Sequence, residues 1–216
     1  YAFTSCAMQS IVLPDSVTTI EYNAFYGCSK LENVTFGDNI ETIDPYAFQN
    51  CKSIKALYGK YVTTDGRALI IDDKIILYAK ASGSDYAIPN SVTTIANRAF
   101  SYANLSSVTI SENVTSIEDD AFSYCSNLKK VYINALIPPT RGNSTFYNNA
   151  SGRRFYVYDE AVNTYKKLWS SDASNIYGNG SYDGEETTTI YYTTTDENIV
   201  NSDYLSIKEN TAPELL

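Results

Sequence analysis

Residues 13–31 read Leu-Pro-Asp-Ser-Val-Thr-Thr-Ile-Glu-Tyr-Asn-Ala-Phe-Tyr-Gly-Cys-Ser-Lys-Leu, and the same phrase returns along the chain. Val17, Ile20, Ala24, Phe25 and Cys28 are followed 23 residues later by Ile40, Ile43, Ala47, Phe48 and Cys51. After a gap come Val92, Ile95, Ala99 and Phe100, and then, 22 residues on, Val114, Ile117, Ala121, Phe122 and Cys125. Ala2, Phe3 and Cys6 are the tail of an earlier copy. Most copies run on into Leu-x-x-Val-x-Phe/Ile, as in Leu31, Val34, Phe36 and in Leu128, Val131, Ile133. Self-similarity at this period marks a stack of small units rather than a globular domain with one irregular core.

Each part of the unit has a physical reading. The Leu-x-x-Val-x-Ile piece alternates apolar and polar residues and is rich in β-branched side chains, so it predicts a short strand with one face inward. Leu13-Pro14-Asp15-Ser16 and Ile88-Pro89-Asn90-Ser91 supply turn chemistry. Val-Thr-Thr-Ile is a second short extended piece, and Ala-Phe-x-x-Cys has room only for a helical or 3₁₀ turn. One such unit cannot bury its own apolar side. Stacked units bury one another's, with equivalent strands about 4.8 Å apart in parallel sheets. A solenoid follows.

The cysteines occupy one phase of the coil, a slot that the third clear copy fills with Ala103. In-phase side chains point in parallel rather than toward each other, so free buried thiols are expected, neither disulfides nor a metal site. Between Leu57 and Ile88 the frame is interrupted. Residues 59–87 carry alternating strand and turn signals around Tyr61-Val62-Thr63, Ala68-Leu69-Ile70-Ile71 and Ile75-Ile76-Leu77-Tyr78, which predicts an inserted antiparallel meander on the solenoid edge. Thr145-Phe146, Phe155 and Val157 repeat the frame in weakened form. Residues 135–178 are therefore read as a degenerate coil followed by a capping helix. That helix is expected to start at Asp159 as N-cap, to run to about Ser170, and to place Val162, Tyr165, Leu168 and Trp169 on one face. The solenoid would span 1–178, with 179–216 a linker or the start of a following module.

Composition narrows function before any site is named. There is no histidine among 216 residues, which removes every catalytic or metal-binding arrangement that needs an imidazole. With 16 Lys and Arg against 25 Asp and Glu, the net charge of −9 makes nucleic acid a poor partner. No apolar run approaches the length of a membrane span. Glu118, Asp119 and Asp120 are the only carboxylate cluster worth weighing for glycosidase chemistry, but they adjoin in sequence on a turn, whereas acid and nucleophile must face each other across a cleft. No catalytic residue, cofactor or metal site is expected.

Units 13–31 and 88–100 resemble the BspA-like leucine-rich repeats of bacterial and protozoan surface proteins, and the likeness extends over about residues 2–134. The resemblance implies an α/β fold: a right-handed leucine-rich-repeat solenoid rich in short parallel strands, here with the β-meander and the C-terminal capping helix. It further implies an extracellular or surface-anchored protein, often linked to adhesion, without enzymatic activity in the repeat.

In such a solenoid the outward residues of the Leu-x-x-Val-x-Ile strand line up across coils. The middle row reads Val12, Thr35, Tyr58, Thr109, Tyr132 and Tyr156, flanked by Ser10, Asn33, Ala56, Ser107 and Lys130. Tyrosine offers a large, stiff contact area with a hydroxyl, which suits protein or glycan binding. Asn33, Thr35, Tyr58, Thr109, Lys130, Tyr132 and Tyr156 are the candidate partner-binding residues. The expected function is a monomeric binding or adhesion module with a protein ligand, such as a host or matrix protein; a glycan ligand on the same tyrosines is the alternative.

Overall fold

The computed structural model describes residues 1–180, so the expected tail module lies almost wholly outside them. The alternating Leu-x-x-Val-x-Ile segments form the first parallel ladder. Ser10–Val12, Asn33–Thr35 and Ala56–Tyr58 make a three-stranded sheet; Asp85–Ala87, Ser107–Ile110, Lys130–Ile133, Arg154–Val157 and Ile176–Gly178 make a five-stranded one. Register advances by one repeat per rung: Val34 pairs with Ile11 and Leu57, and Val108 with Tyr86 and Val131. The Thr-Ile pieces form the second ladder, with Thr19–Ile20 beside Thr42–Ile43, and Lys74–Tyr78, Thr94–Ile95, Ser116–Ile117 and Thr140–Arg141 in another sheet. This is the expected solenoid of short parallel strands.

Between the ladders each Ala-Phe turn closes with bonds from residue i to i−3, such as Cys28 N to Phe25 O, and is tied to the next coil by Phe25 N to Ala47 O and Phe100 N to Ala121 O. Those inter-coil bonds hold the rings in register. Phe3, Phe25 and Phe48 stack at 5.2 and 4.9 Å; Tyr78, Phe100, Phe122 and Phe146 stack at 4.8, 4.8 and 5.3 Å. Face-offset packing of this kind adds to the burial of each ring.

The interruption is smaller than its sequence suggests. Ala68–Ile71 and Lys74–Tyr78 form the antiparallel hairpin, with Val62 bridging to Leu69 as the meander's third arm. The second hairpin strand is also a rung of the solenoid, for Ile75 pairs in parallel with Ile95. Tyr78 then takes the place of the ladder phenylalanine, 22 residues before Phe100, and Tyr86 takes the strand valine's place opposite Val108. A complete coil is thus hidden inside 74–88, its signature masked by tyrosines in slots that elsewhere hold Phe and Val. The break in the stack falls between Phe48 and Tyr78, and the buried apolar residues divide there into two clusters.

The cap departs from expectation in detail. It is a 3₁₀ turn at Asp159–Ala161, an α-helix only at Val162–Leu168, and a second 3₁₀ segment at Ser170–Asn175. Asp159 is not the N-cap: Tyr158 holds that position, and the Asp159 carboxylate accepts from Gly180 N at 3.3 Å. Leu168 faces out at 60% exposure, while Ala161, Tyr165 and Trp169 face in, because a helix this short turns its buried stripe through one side only. Tyr165 Oη donates to Ala135 O at 2.8 Å and Trp169 Nε1 to Pro139 O at 3.2 Å, so both large rings bring a satisfied polar end into the lid. Arg141 and Arg153 converge on the Asp172 carboxylate at 2.5 and 2.9 Å, which locks the second 3₁₀ segment to the last coil. The chain then returns as Ile176–Gly178 to add one more rung.

Candidate functional site

The strand face is built by the pleat. Inward residues Val34, Leu57, Val108, Val131 and Phe155 are fully covered, which turns their neighbours outward. The candidate residues fall into two groups rather than one row. Asn33, Thr35 and Tyr58 lie in the three-stranded sheet, with Thr35 opposite Tyr58, which is 51% exposed. Thr109, Lys130, Tyr132 and Tyr156 lie in the five-stranded sheet, with Thr109, Tyr132 and Tyr156 in one register. The two sheets do not join, because the loop before the hairpin occupies the next place: Leu57 N donates to Gly66 O at 2.7 Å.

Within the second group the tyrosines stand like pages. Tyr132 and Tyr156 stack at 5.1 Å and 21°, and Tyr177 follows at 6.2 Å and 35°. Tyr156, flanked on both sides, keeps only 8% exposure. Arg154 lies over Tyr177 at 5.5 Å. At its centre the row offers a ring edge and a hydroxyl, since the faces of Tyr156 lie between Tyr132 and Tyr177. Tyr177 was not anticipated from sequence, although Ile176-Tyr177-Gly178 repeats the spacing of Phe155-Tyr156-Val157 21 residues earlier.

The carboxylates beside Ala121 have structural employment. Glu118 binds Lys74 Nζ at 2.6 Å and accepts from Asn97 N at 2.9 Å; Asp120 binds Arg98 at 2.6 Å; Asp119 accepts from Asn143 N at 2.6 Å. Each ties its coil to a neighbouring one. The shallow depression of about 420 Å³ beside them, lined by Asn97, Glu118, Asp119 and Arg141 among others, holds no facing acid pair. No group of three or more potential metal ligands occurs among the described residues.

The thiols are unbridged, and their column has a task that the repeat pattern did not reveal. Each of the buried Sγ atoms donates to the ladder ring's carbonyl one coil back: Cys28 to Phe3 at 2.9 Å, Cys51 to Phe25 at 2.9 Å, Cys125 to Phe100 at 3.1 Å. Asn149 does the same for Phe122 at 2.7 Å, and at the break Lys80 Nζ does it for Phe48 at 2.9 Å. Burial pushes the Cys51 thiol up to about 11 and the Cys125 thiol to about 12, which keeps them protonated as donors. Lys80 is only 3% exposed, and burial pulls its ammonium down to about 8.

The comparisons with known proteins agree with this architecture. The family model described as BspA type leucine rich repeat region matches in 6 copies over residues 1–64 and 74–174, leaving out 65–73, the inner turn and first strand of the hairpin. No curated protein matches the sequence. Among solved structures, a leucine-rich repeat protein from Bacteroides ovatus ATCC 8483 is 20% identical with a TM-score of 0.51, covering 82% of this chain and 44% of that one. A leucine-rich repeat protein from Eubacterium ventriosum ATCC 27560 is 19% identical with a TM-score of 0.44, covering 69% and 47%. A leucine rich cell surface protein from Faecalibacterium prausnitzii A2-165 is 17% identical with a TM-score of 0.46, covering 71% and 50%. The chain thus spans half the length of those proteins or less. With three quarters of its residues matched and one coil geometry repeated throughout, the chain belongs to the BspA-type leucine-rich repeat proteins.

Proposed function

We propose that this chain is a non-catalytic binding module, acting as a monomer outside the cell or on its surface, whose strand face receives a protein partner. The observation that carries the reading is the stacked row of Tyr132, Tyr156 and Tyr177 with Thr109 and Lys130 beside it. Stiff aromatic edges carrying hydroxyls, set on a rigid ladder, suit a protein interface, where a few buried Tyr and Arg side chains dominate affinity. A sugar on this row is disfavoured at its centre, since it needs an open ring face and those of Tyr156 lie between Tyr132 and Tyr177. Asn33, Thr35 and Tyr58 extend the contact across the break. Among the described residues no helix is long and apolar enough to cross a membrane, and the carboxylate geometry gives catalysis no support.

The test is surface plasmon resonance of the immobilised chain against a panel of purified extracellular-matrix and host-surface proteins, repeated with Tyr132→Ala. A partner should bind, and the variant should lose about 2 kcal/mol, roughly thirtyfold in affinity. Equal binding by both forms would reject the strand face as the site.

A further inference from the structure

The backbone two residues after each ladder phenylalanine is left-handed. Ser5, Gly27, Asn50, Tyr102, Tyr124 and Asn148 have φ between +53° and +71°. Glycine and asparagine adopt that conformation readily, whereas a bulky aromatic side chain does so at a cost in backbone strain. Gly27, Asn50 and Asn148 close the turn with the same φ, so the turn itself does not require tyrosine. Yet two successive coils place tyrosine there, and the rings align at 4.7 Å and 6° along the turn edge, away from the strand face. Lys52 Nζ covers the outer face of Tyr102 at 4.5 Å. At the other end Tyr147 is turned by 80° to Tyr124 at 5.5 Å and is 58% exposed. Its ring stands nearly perpendicular to the stacked pair and more than half of the residue is open to solvent. Two residues after Tyr102 and three after Tyr124, the exposed Asn104 and Asn127 pair, with Asn127 Nδ2 donating to Asn104 Oδ1 at 2.8 Å, which leaves Asn104 Nδ2 as a donor and Asn127 Oδ1 as an acceptor for a ligand.

We infer that this turn edge is a carbohydrate site, in which the exposed ring of Tyr147 stacks on the apolar face of a neutral pyranose and the Asn104–Asn127 amide pair receives hydroxyls of the adjoining sugar. The ring centroids from Tyr102 to Tyr147 span at most about 10 Å, against the roughly 30 Å breadth of a patch of about 800 Å² that a stable protein interface covers per partner, but enough for a short oligosaccharide. The amides provide paired donors and acceptors without charge, which matches hydroxyl-rich, neutral ligands. This site is separate from the strand face and does not depend on what binds there.

The experiment probes a microarray of neutral oligosaccharides with the complete labelled chain, then measures affinity for the strongest-binding oligosaccharide by titration calorimetry. Tyr147→Ala should weaken binding at least about tenfold, the scale of one aromatic contact. The double variant Tyr102→Gly/Tyr124→Gly, whose glycines fit the left-handed turn, should keep the parent's circular dichroism spectrum while weakening binding, because it removes the ring pair that Tyr147 stands against. Tyr132→Ala should leave the affinity unchanged. No bound oligosaccharide on the array, unaltered affinity in Tyr147→Ala, or a loss that tracks Tyr132→Ala instead would each overturn the inference.

Discussion

Replacing Lys80 by Met tests the account of the break between the two ring stacks. The ammonium is enclosed, donates to Phe48 O, and has a pKa held down near 8 from 10.5, chiefly by desolvation, with the nearby positive charges of Arg98 and Lys52 adding to it. A folded-state pKa below the unfolded one means that the unfolded chain binds the proton more tightly. Below about pH 8 both states are protonated and the fold carries the full penalty. Between about 8 and 10.5 the native lysine has released its proton while the unfolded one keeps it, so stability rises with pH across that window. The difference between the two values corresponds to about 3 kcal/mol. Buried Tyr86, Tyr165 and the thiols give the opposite slope, since their pKa values are raised by burial and they ionise first in the unfolded chain; the tyrosines do so equally in both proteins, and Cys51 and Cys125, whose pKa values Lys80 lowers, stay mostly protonated in the native state up to pH 10.5 with or without it. The difference between variants therefore isolates the lysine. Urea melts of parent and Lys80→Met under reducing conditions at pH 7 and pH 10.5 should show the stability of the variant relative to the parent falling by roughly 2–3 kcal/mol as pH rises. A pH-independent difference would refute the buried-ammonium reading.

Two further outcomes are expected. Phe100→Ala removes a fully buried ring sandwiched by Tyr78 and Phe122 and should cost about 3–5 kcal/mol, or roughly 6–20 °C in melting temperature, whereas Phe3→Ala, at 40% exposure, should cost far less; equal shifts in a thermal melt would contradict the stacked-ring core. In a thiol-reagent assay at pH 8 the half-exposed Cys6 should react promptly while Cys28, Cys51 and Cys125 wait for unfolding; rapid labelling of all the cysteines without loss of structure would mean that the thiol-to-carbonyl column does not form.

Much of this molecule was legible without coordinates, because a 22- or 23-residue period repeats the same physical demands in each coil: one inward Val, one ring, one small residue. The hidden coil at 74–88 was harder to see. There the Ile-to-ring spacing shrinks by two residues, from Ile95–Phe100 to Ile75–Tyr78, and Tyr replaces Phe and Val; Arg67 binds the Tyr78 hydroxyl, donates to Asp85 O at 2.6 Å and lies over the Tyr86 ring at 4.8 Å. Leu168 was misplaced for a related reason. Helical periodicity assumes a long helix, and this one lasts seven residues before the chain tightens into 3₁₀.

By itself, then, the sequence determined the repeating coil, its inward ring and thiol columns and the absence of imidazole chemistry, since those follow from local pattern and composition. Only the tertiary structure decided what the columns do between coils. It turned the buried thiols into donors for carbonyls one coil away, enclosed a lysine at the break, split the tyrosine row into two sheets, and stacked the remaining rings so that the faces of Tyr156 lie between its neighbours. Those properties arise from pairs of residues more than twenty positions apart, whose spacing and orientation are fixed by ladder register and by the seam that the hairpin loop makes in it.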